Sequence, residues 1–428
     1  MTYRDSLRLL DSLPNYEQLA RTEGVFDLER FRRFLSLLGS PQDRLNNVIL
    51  VAGSKGKGST CALIDAALRA AGLATGLYTS PHLLDVRERI RVSGESISGP
   101  EFARLAGRIS PALSQVRVTW FEAMTAIAFL HFATCKLDHT ILEVGLGGRL
   151  DATNTANPAL SVITRIGFDH TEVLGKTLSA IAREKAGVMR DDGPVVAGTQ
   201  PASALTALRR EAAHRRAELM YAPALLTAGD IRVRLSGTSF RLAVEGDAPD
   251  ARHLIRLGLT GAHQAENALT ALAVLSLIGV RDRRVNSTTA LRGFRTARLP
   301  ARFQVVRRDP LLIIDAAHNP DSIRALVRTL REIPGKPLTV IFGTSRDKPA
   351  RDLLALLRPI AARLVLTQAV SPRAFPLSGL VELARQMALR FETAGTVAQA
   401  MQSLRKPAVV TGSFFVAAEA LRALRRRS

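Results

Sequence analysis

The chain reads as an α/β protein of two units: a P-loop-type ATPase domain with a mostly parallel sheet, and a smaller C-terminal Rossmann-like α/β domain. Three observations predict this. Val48-Ile49-Leu50-Val51-Ala52, a short apolar run, leads into a turn rich in glycine and lysine and then a helical run to Ala71. Comparable apolar runs recur at 74–78, 140–144, 160–166 and 194–198, separated by segments of helical spacing, as expected of buried parallel strands. After Pro300 the alternation restarts, with strands expected at 311–315, 338–342, 363–367 and 408–411 and a helix at 413–425. The division falls at 1–296 and 297–428.

The turn is Gly53-Ser54-Lys55-Gly56-Lys57-Gly58-Ser59-Thr60. Glycines let the backbone wrap an anion with its N–H groups inward, and the helix that follows adds its positive end. Lys57 supplies a full charge for a nucleotide's outer phosphates, and Ser59 or Thr60 can reach a phosphate or its Mg²⁺. The strict pattern G-x-x-x-x-G-K-[ST] fails, because Ser59 stands where the lysine belongs and Lys57 precedes Gly58. Strand before and helix after still make this a phosphate-binding loop rather than a solvated turn.

The remaining elements follow in order. Residues 1–47 are amphipathic and helical, with Phe26, Phe34, Leu35, Leu37 and Leu38 on apolar faces and a break at 39–41. Thr79-Ser80-Pro81-His82 turns off the end of the 74–78 strand. Open sheets bind ligands there, so Ser80 faces the crevice of Lys57. The helix at 119–133 has Phe121, Met124, Ala128 and Phe132 on one face and Glu122 beside Trp120. Glu143 lies inside an apolar strand, where a lone carboxylate is costly. A metal ion would relieve that cost, and an ion pair with Arg149 is the alternative. Gly145-Leu146-Gly147-Gly148 does not make a dinucleotide fingerprint. His170 leaves the end of the 160–166 strand behind Asp169. Segments 231–235 and 239–244 alternate as a hairpin. A helix at 261–279 carries Asn267, and 293–302 reads as an aperiodic linker.

Composition bounds the setting. The chain has 428 residues, a formal charge of +21 and an isoelectric point near 11.2. Nucleic acid is the first suspect for such a balance, but the arginines are scattered rather than gathered into an aromatic-flanked block, and the densest cluster is at 422–427. A solvated basic surface, or steering of anionic substrates, fits better. The two cysteines, Cys61 and Cys135, make neither a disulfide framework nor a zinc pattern. No apolar run is long enough to cross a bilayer and the N-terminus is no secretory signal, so a cytoplasmic, monomeric protein is expected, with no nucleic-acid or membrane partner.

Ordered blocks across nearly the whole chain then carry a resemblance. They are the loop at 53–60, Tyr78-Thr79-Ser80-Pro81-His82, Arg87-Glu88-Arg89-Ile90, the stretch from Leu142 to Asn154, Gly167-Phe168-Asp169-His170, Arg183-Glu184-Lys185-Ala186-Gly187, His263-Gln264-Ala265-Glu266-Asn267 and Asp315-Ala316-Ala317-His318-Asn319-Pro320. Together they resemble bacterial folylpolyglutamate synthase/dihydrofolate synthase, within the Mur ligase superfamily. The resemblance implies an ATP-dependent ligase that joins L-glutamate to a dihydropteroate or reduced-folate carboxylate through an acyl phosphate. It implies ATP as substrate and two Mg²⁺ ions, with a monovalent cation as a further candidate. It assigns Gly53, Ser54, Lys55, Gly56, Lys57, Gly58, Ser59, Thr60, Asn267, Arg302 and Asp315 to ATP, and Ser80, Glu143 and His170 to metal. It assigns Thr79, Trp120, Phe121, Glu122, Leu150, Asp151 and Ala152 to the folate, with a pterin-holding segment near Phe26, Asp27 and Leu28. Lys57, Lys185 and His318 would be catalytic, and Lys185 would be carbamylated by CO₂. Departures stand at Ser54-Lys55, at Ala316, and at Leu299 and Ala301, where the pattern is Trp-Pro-Gly-Arg and this chain has Leu-Pro-Ala-Arg. The rivals are a peptidoglycan-precursor ligase, which would need a domain before the loop, and a nucleic-acid-stimulated P-loop ATPase.

Overall fold

Two parallel-stranded sheets, joined by a short antiparallel one, carry the chain. The structure, a computed structural model, describes residues 1–15, 27–247, 253–333, 338–402, 404 and 406–425. Phe26 and the arginines beyond 425 lie outside the described residues.

The first sheet comprises β1 (Val48–Ala52), β2 (Thr75–Tyr78), β3 (Ile90–Val92), β4 (Glu95–Ser96), β5 (His139–Glu143), β6 (Leu160–Ile163), β7 (Pro194–Ala197) and β8 (Glu218–Tyr221). Its order is β4-β3-β2-β5-β1-β6-β7-β8. β1 lies between β5 and β6, parallel to both, while β3 and β4 add an antiparallel edge. Every residue of β1 is buried, but on alternate sides: Val48, Leu50 and Ala52 join one core, Ile49 and Val51 the other. Burial on both faces explains why the strand reads as an unbroken apolar run. The turn after β1 starts the helix Lys57–Ala70, and the strands beside it end at Tyr78, Glu143 and Ile163. The candidate site residues therefore leave neighbouring strand ends on one edge of the sheet.

The second sheet is antiparallel: β9 (Leu226–Arg234), β10 (Gly237–Val244) and β11 (His253–Leu257). The expected hairpin is present, and β11 adds a strand that its sequence did not announce. The third sheet comprises β12 (Gln304–Arg308), β13 (Leu311–Ile314), β14 (Leu338–Phe342), β15 (Ala361–Thr367), β16 (Glu392–Ala394) and β17 (Ala408–Thr411), in the order β12-β13-β17-β14-β15-β16. Only β12 is antiparallel to its neighbour. Four of these strands match expectation, and β12 and β16 are additional.

Two expectations need correction. The stretch 293–302 is not all linker: the helix Ser287–Thr296 runs into it and packs against the loop helix. A Cβ on Gly293 would lie 2.4 Å from the Ala66 carbonyl oxygen and Ala67 Cα, so glycine is what allows the two helices to touch. Leu37, expected on an apolar face, is 45 % exposed; Phe34 and Leu35 of the same helix, Leu28–Leu37, are fully buried. Ala301 takes φ +51° and is buried. Glycine suits that left-handed conformation and an L side chain resists it, so the departure from Pro-Gly-Arg leaves a local strain in this chain.

Candidate active site

The loop after β1 is shaped by contacts that leave no space for side chains. Gly53 and Gly56 have φ +147° and +89°, and a Cβ there would lie 1.9 Å from Thr164 Oγ1 and 2.1 Å from Asn267 Oδ1. Asn267, on the helix His263–Arg281, thus touches the loop directly, while its amide donates to Gln264 Oε1 at 2.9 Å. The Ser54 and Lys55 N–H groups both donate to the Arg165 carbonyl at 3.0 Å, and the Ser54 hydroxyl donates to the Gly167 carbonyl at 2.9 Å. Ser54 therefore ties the loop to the end of β6. Lys57 folds back so that Nζ reaches the Gly53 carbonyl at 3.1 Å, across the mouth of the loop. Ser59 and Thr60 are buried at the helix start, and among the described residues Thr60 Oγ1 has no hydrogen-bond partner.

Glu143 ends β5 beneath this loop, with both carboxylate oxygens 3.5 Å from the position of a Cβ on Gly58. It is 5 % exposed. Burial pushes its carboxyl above the usual range, against Lys57, the Ser80 N–H, Arg302 and Arg89. The Ser80 N–H donates to Glu143 Oε2 at 3.1 Å, which joins two of the three expected metal ligands. The alternative partner, Arg149, pairs instead with Glu184 at 2.9 Å. A buried carboxylate beside a phosphate-type loop, without an ion pair among the described residues, suits a hard cation. Among the described residues no three His, Cys, Asp or Glu side chains converge, so the protein would supply few of the ion's ligands.

His170 has φ +50° and a side chain 36 % exposed. Its nitrogens lie 3.7 Å from Asp169 and 3.8 Å from Glu172. Asp169 also pairs with Lys55 at 3.4 Å. Burial tends to raise the Asp169 carboxyl, but Lys55, His170, Lys57 and His318 together hold it below its ordinary value.

Lys185 closes the helix Leu178–Ala186 and is 3 % exposed, which excludes a surface lysine. Burial, reinforced by Lys57, brings its ammonium down to about 7, against the pull of Asp169 and Asp151. Its Nζ lies 3.4 Å from the Gly147 carbonyl. Gly148 lets the backbones approach, since a Cβ there would lie 2.9 Å from Lys185 Cα.

The expected folate residues line the neighbouring strand end. Thr79 donates its N–H to the Arg89 carbonyl. Trp120 and Phe121 begin the helix Trp120–Phe132, and Phe121 lies under Gly145 and beside Tyr78. Glu122 is not a free acceptor. One oxygen takes the Thr119 N–H at 2.6 Å in a capping box, and the other takes Arg30 at 2.7 Å. Asp151 is likewise committed, to the Leu146 N–H at 2.8 Å and to Thr153, and burial raises its carboxyl. Ala152 is buried beside it and Leu150 is 37 % exposed. A cavity of about 270 Å³ opens next to this group, lined by Tyr3, Leu7, His82, Asp85 and Trp120 among others. Reading the sequence did not single out Arg30, or Arg89 as a site residue. Arg89 is fully buried, stacks 4.6 Å over Trp120 and donates to His82 Nδ1 at 2.9 Å.

The C-terminal domain closes the other side. Leu83 packs into its core, and Arg422 reaches the Leu84 carbonyl. Arg302 stacks 5.0 Å over Phe414, and its charge is felt at Glu143, Asp315 and His318. The Asp315 carboxylate holds the Phe303 and Ala317 N–H groups, at 2.7 and 2.8 Å. His318 is brought down to about 4 by desolvation and by Arg302 and Lys348, so it is neutral near pH 7. Its Nδ1 lies 2.8 Å from the Ala316 carbonyl, which assigns the proton to Nδ1 and leaves Nε2 as an acceptor.

A phosphate-type loop at the edge of one parallel sheet, faced by a second α/β domain, defines a class. Residues 51–275 match the Mur ligase middle domain and residues 301–416 the Mur ligase glutamate ligase domain. The chain is 35 % identical over 445 residues to a probable bifunctional folylpolyglutamate synthase/dihydropteroate synthase of Haloferax volcanii, covering 98 % of this chain and 50 % of that one. It thus spans about half the length of that archaeal relative. It is 34 % identical to dihydrofolate synthase/folylpolyglutamate synthase of Bacillus subtilis, covering 81 % of this chain and 82 % of that one. The folylpolyglutamate synthase of Mycobacterium tuberculosis, solved with ADP, superposes with a TM-score of 0.87 at 31 % identity, covering 100 % of this chain and 98 % of that one. The chain belongs to the folylpolyglutamate synthase/dihydrofolate synthase family of Mur ligases. Among its described residues no helix is long and apolar enough to cross a membrane.

Proposed function

We propose that the protein is an ATP-dependent ligase that adds L-glutamate to a pterin-bearing carboxylate, accepting both dihydropteroate and a reduced folate. The observation that carries this reading is the convergence of Lys57, Glu143 and Arg302 from two domains on one strand-end crevice, within a chain of this family. A carboxylate oxygen of the acceptor attacks the γ-phosphorus of ATP. The bond from γ-phosphorus to the bridging oxygen breaks, ADP leaves and an acyl phosphate forms. The glutamate amine then attacks the acyl carbon, and inorganic phosphate leaves with the C–O bond electrons.

Such chemistry asks the protein mainly for placement and charge. The N–H groups of residues 56–59, at the start of the helix, hold the phosphates, Lys57 and Arg302 neutralise the transferred group, and Asn267 fixes the nucleotide against Gly56. Asp315 holds the turn that carries Arg302. Glu143 and Ser80 would hold Mg²⁺, which supplies further neutralisation between the phosphates. The resemblance implies a second ion on His170, considered below. The pterin would lie by Thr79, Trp120 and Phe121, with Leu150 and Ala152 at its edge. Glu122 and Asp151 would act by holding Arg30 and the 146–153 turn in place. His318 Nε2 accepts a hydrogen bond from the incoming amine. Lys185, with a pKa of about 7, holds a neutral amine near neutral pH and can add CO₂ to form a carbamate, which makes it an anion facing the cationic side of the site.

The domain division at 297, a monomeric state and a cytoplasmic setting belong to the same proposal, without nucleic acid or membrane as partner and with a monovalent cation as an optional further ligand. The test is acceptor choice. ATP-dependent glutamylation of dihydropteroate and of tetrahydrofolate is expected, and activity on a UDP-muramyl acceptor with neither pterin would overturn the reading.

A further inference from the structure

We infer that the Lys55 ammonium occupies the cation position beside Asp169 and His170, so that this ligase works with one divalent ion, on Glu143 and Ser80, rather than two. The inference rests on the ligase reading above and departs from what the resemblance implies.

Two basic side chains face Asp169. Its carboxylate is the acidic partner shared by Lys55 Nζ, at 3.4 Å from Oδ2, and by His170 Nε2, at 3.7 Å from Oδ1. An ion bound on His170 from the Asp169 side would meet this same carboxylate, already paired with a full positive charge. A second acid against His170, Glu172, has a side chain 69 % exposed and lies on the Nδ1 side. The lysine is held in place by more than its charge. Its N–H is tied to the Arg165 carbonyl, and its Cγ and Cε run along Gly167, each 3.9 Å from where a Cβ would stand. Asp321, of the facing domain, reaches the same point at 3.9 Å. An ammonium and a divalent cation sharing one carboxylate repel each other in a partly desolvated crevice, and the tethered lysine costs no dehydration of an ion. Glu143, for its part, carries the Ser80 N–H, and the charges felt most strongly there are those of Lys57, Arg302 and Arg89. One position therefore suits a divalent ion, and the other already holds a cation from the chain.

The test counts metal. The full chain, saturated with the non-hydrolysable ATP analogue AMPPCP, is titrated with Mn²⁺, and free Mn²⁺ is read by electron paramagnetic resonance. No acceptor or glutamate is present, so the count is independent of which substrate the enzyme ligates. One Mn²⁺ per ternary complex is expected for the unaltered chain. Lys55→Asn should gain a second, bound at least tenfold more tightly than any second ion on the parent, and Lys55→Asn/His170→Ala should lose it again. Lys55 is not one of the buried core residues, so these variants leave the hydrophobic core in place, and Lys55→Gln serves if the asparagine form does not fold. Two tight Mn²⁺ ions on the unaltered chain, or a single ion on both parent and Lys55→Asn, would overturn the inference.

Discussion

Replacing Lys185 with methionine should make the protein more stable and inactive at the same time. The side chain is 3 % exposed and its pKa falls from an ordinary 10.5 to about 7. Folding therefore disfavours the ammonium form by roughly 4–5 kcal/mol at any pH below 7, taking 1.36 kcal/mol per tenfold. The sign follows from proton counts. Between pH 7 and 10.5 the unfolded chain binds this proton and the folded chain does not, so the parent gains stability as pH rises. Below 7 the full penalty applies, and above 10.5 none remains. Methionine of similar length removes the penalty, and imperfect packing returns part of the gain, which leaves about 2–4 kcal/mol at pH 6.5. At about 2–4 °C per kcal/mol for a domain of this size, Tm should rise by on the order of 5–10 °C. The assay is thermal unfolding of both proteins at pH 6.5, 8 and 10, in CO₂-free buffer without nucleotide or metal, so that the lysine stays unmodified. The difference should shrink steadily toward pH 10. A difference that does not change with pH, or a methionine form less stable at pH 6.5, would refute the assignment of a buried, easily neutralised lysine. The same property serves the proposed function. At pH 7.5 about three-quarters of this lysine is neutral, against about one part in a thousand for an ordinary one. Only the neutral amine adds CO₂, so Lys185→Met should also lose ligation by about a hundredfold or more.

Further predictions concern single atoms. Lys57→Ala should lower kcat by roughly a hundredfold or more, the usual cost of one transition-state charge, with unchanged Tm, because the side chain fills no core space. Glu143→Gln keeps the shape and removes the charge, so a Mg²⁺ titration of activity should shift to higher concentration while pterin affinity holds. Gly56→Ala puts a Cβ 2.1 Å from Asn267 Oδ1 at φ +89°; equilibrium dialysis should show ADP affinity down by about tenfold or more. Ala301→Gly relieves φ +51° and should raise stability by on the order of 1 kcal/mol, read by chemical denaturation.

What could be read from the sequence was local. β1, the loop and its helix lie within 48–71, so strand pattern, glycine spacing and helical period reinforce one another without help from distant segments. Glu143 was legible for a related reason: a charge in an otherwise apolar strand has few inexpensive explanations. The partners of these groups were harder to see. Arg30 meets Glu122 across 92 residues, and nothing near either one announces the pair. The competing partner for Glu143 could be set aside only once Arg149 was seen on Glu184. The end of the loop-packing helix was mistaken for linker because 293–302 is basic, contains Pro300 and lacks periodicity, and Gly293 gives no sign of a contact in one dimension. In three dimensions it is the only residue type small enough for the contact with Ala66 and Ala67. β12 and β16 were missed because they are edge strands, partly or mostly exposed, and lack the apolar run that marks the central ones.

In the proposed function one crevice couples ATP cleavage to glutamate transfer onto a pterin-bearing carboxylate. The most direct test measures ADP release from ATP and Mg²⁺ with dihydropteroate or tetrahydrofolate, each with and without L-glutamate, and weighs the products by mass spectrometry. ADP release should depend on both acceptor and glutamate, with a product heavier by one glutamyl residue for each acceptor turned over. ADP release indifferent to both, or stimulated instead by nucleic acid, would contradict it.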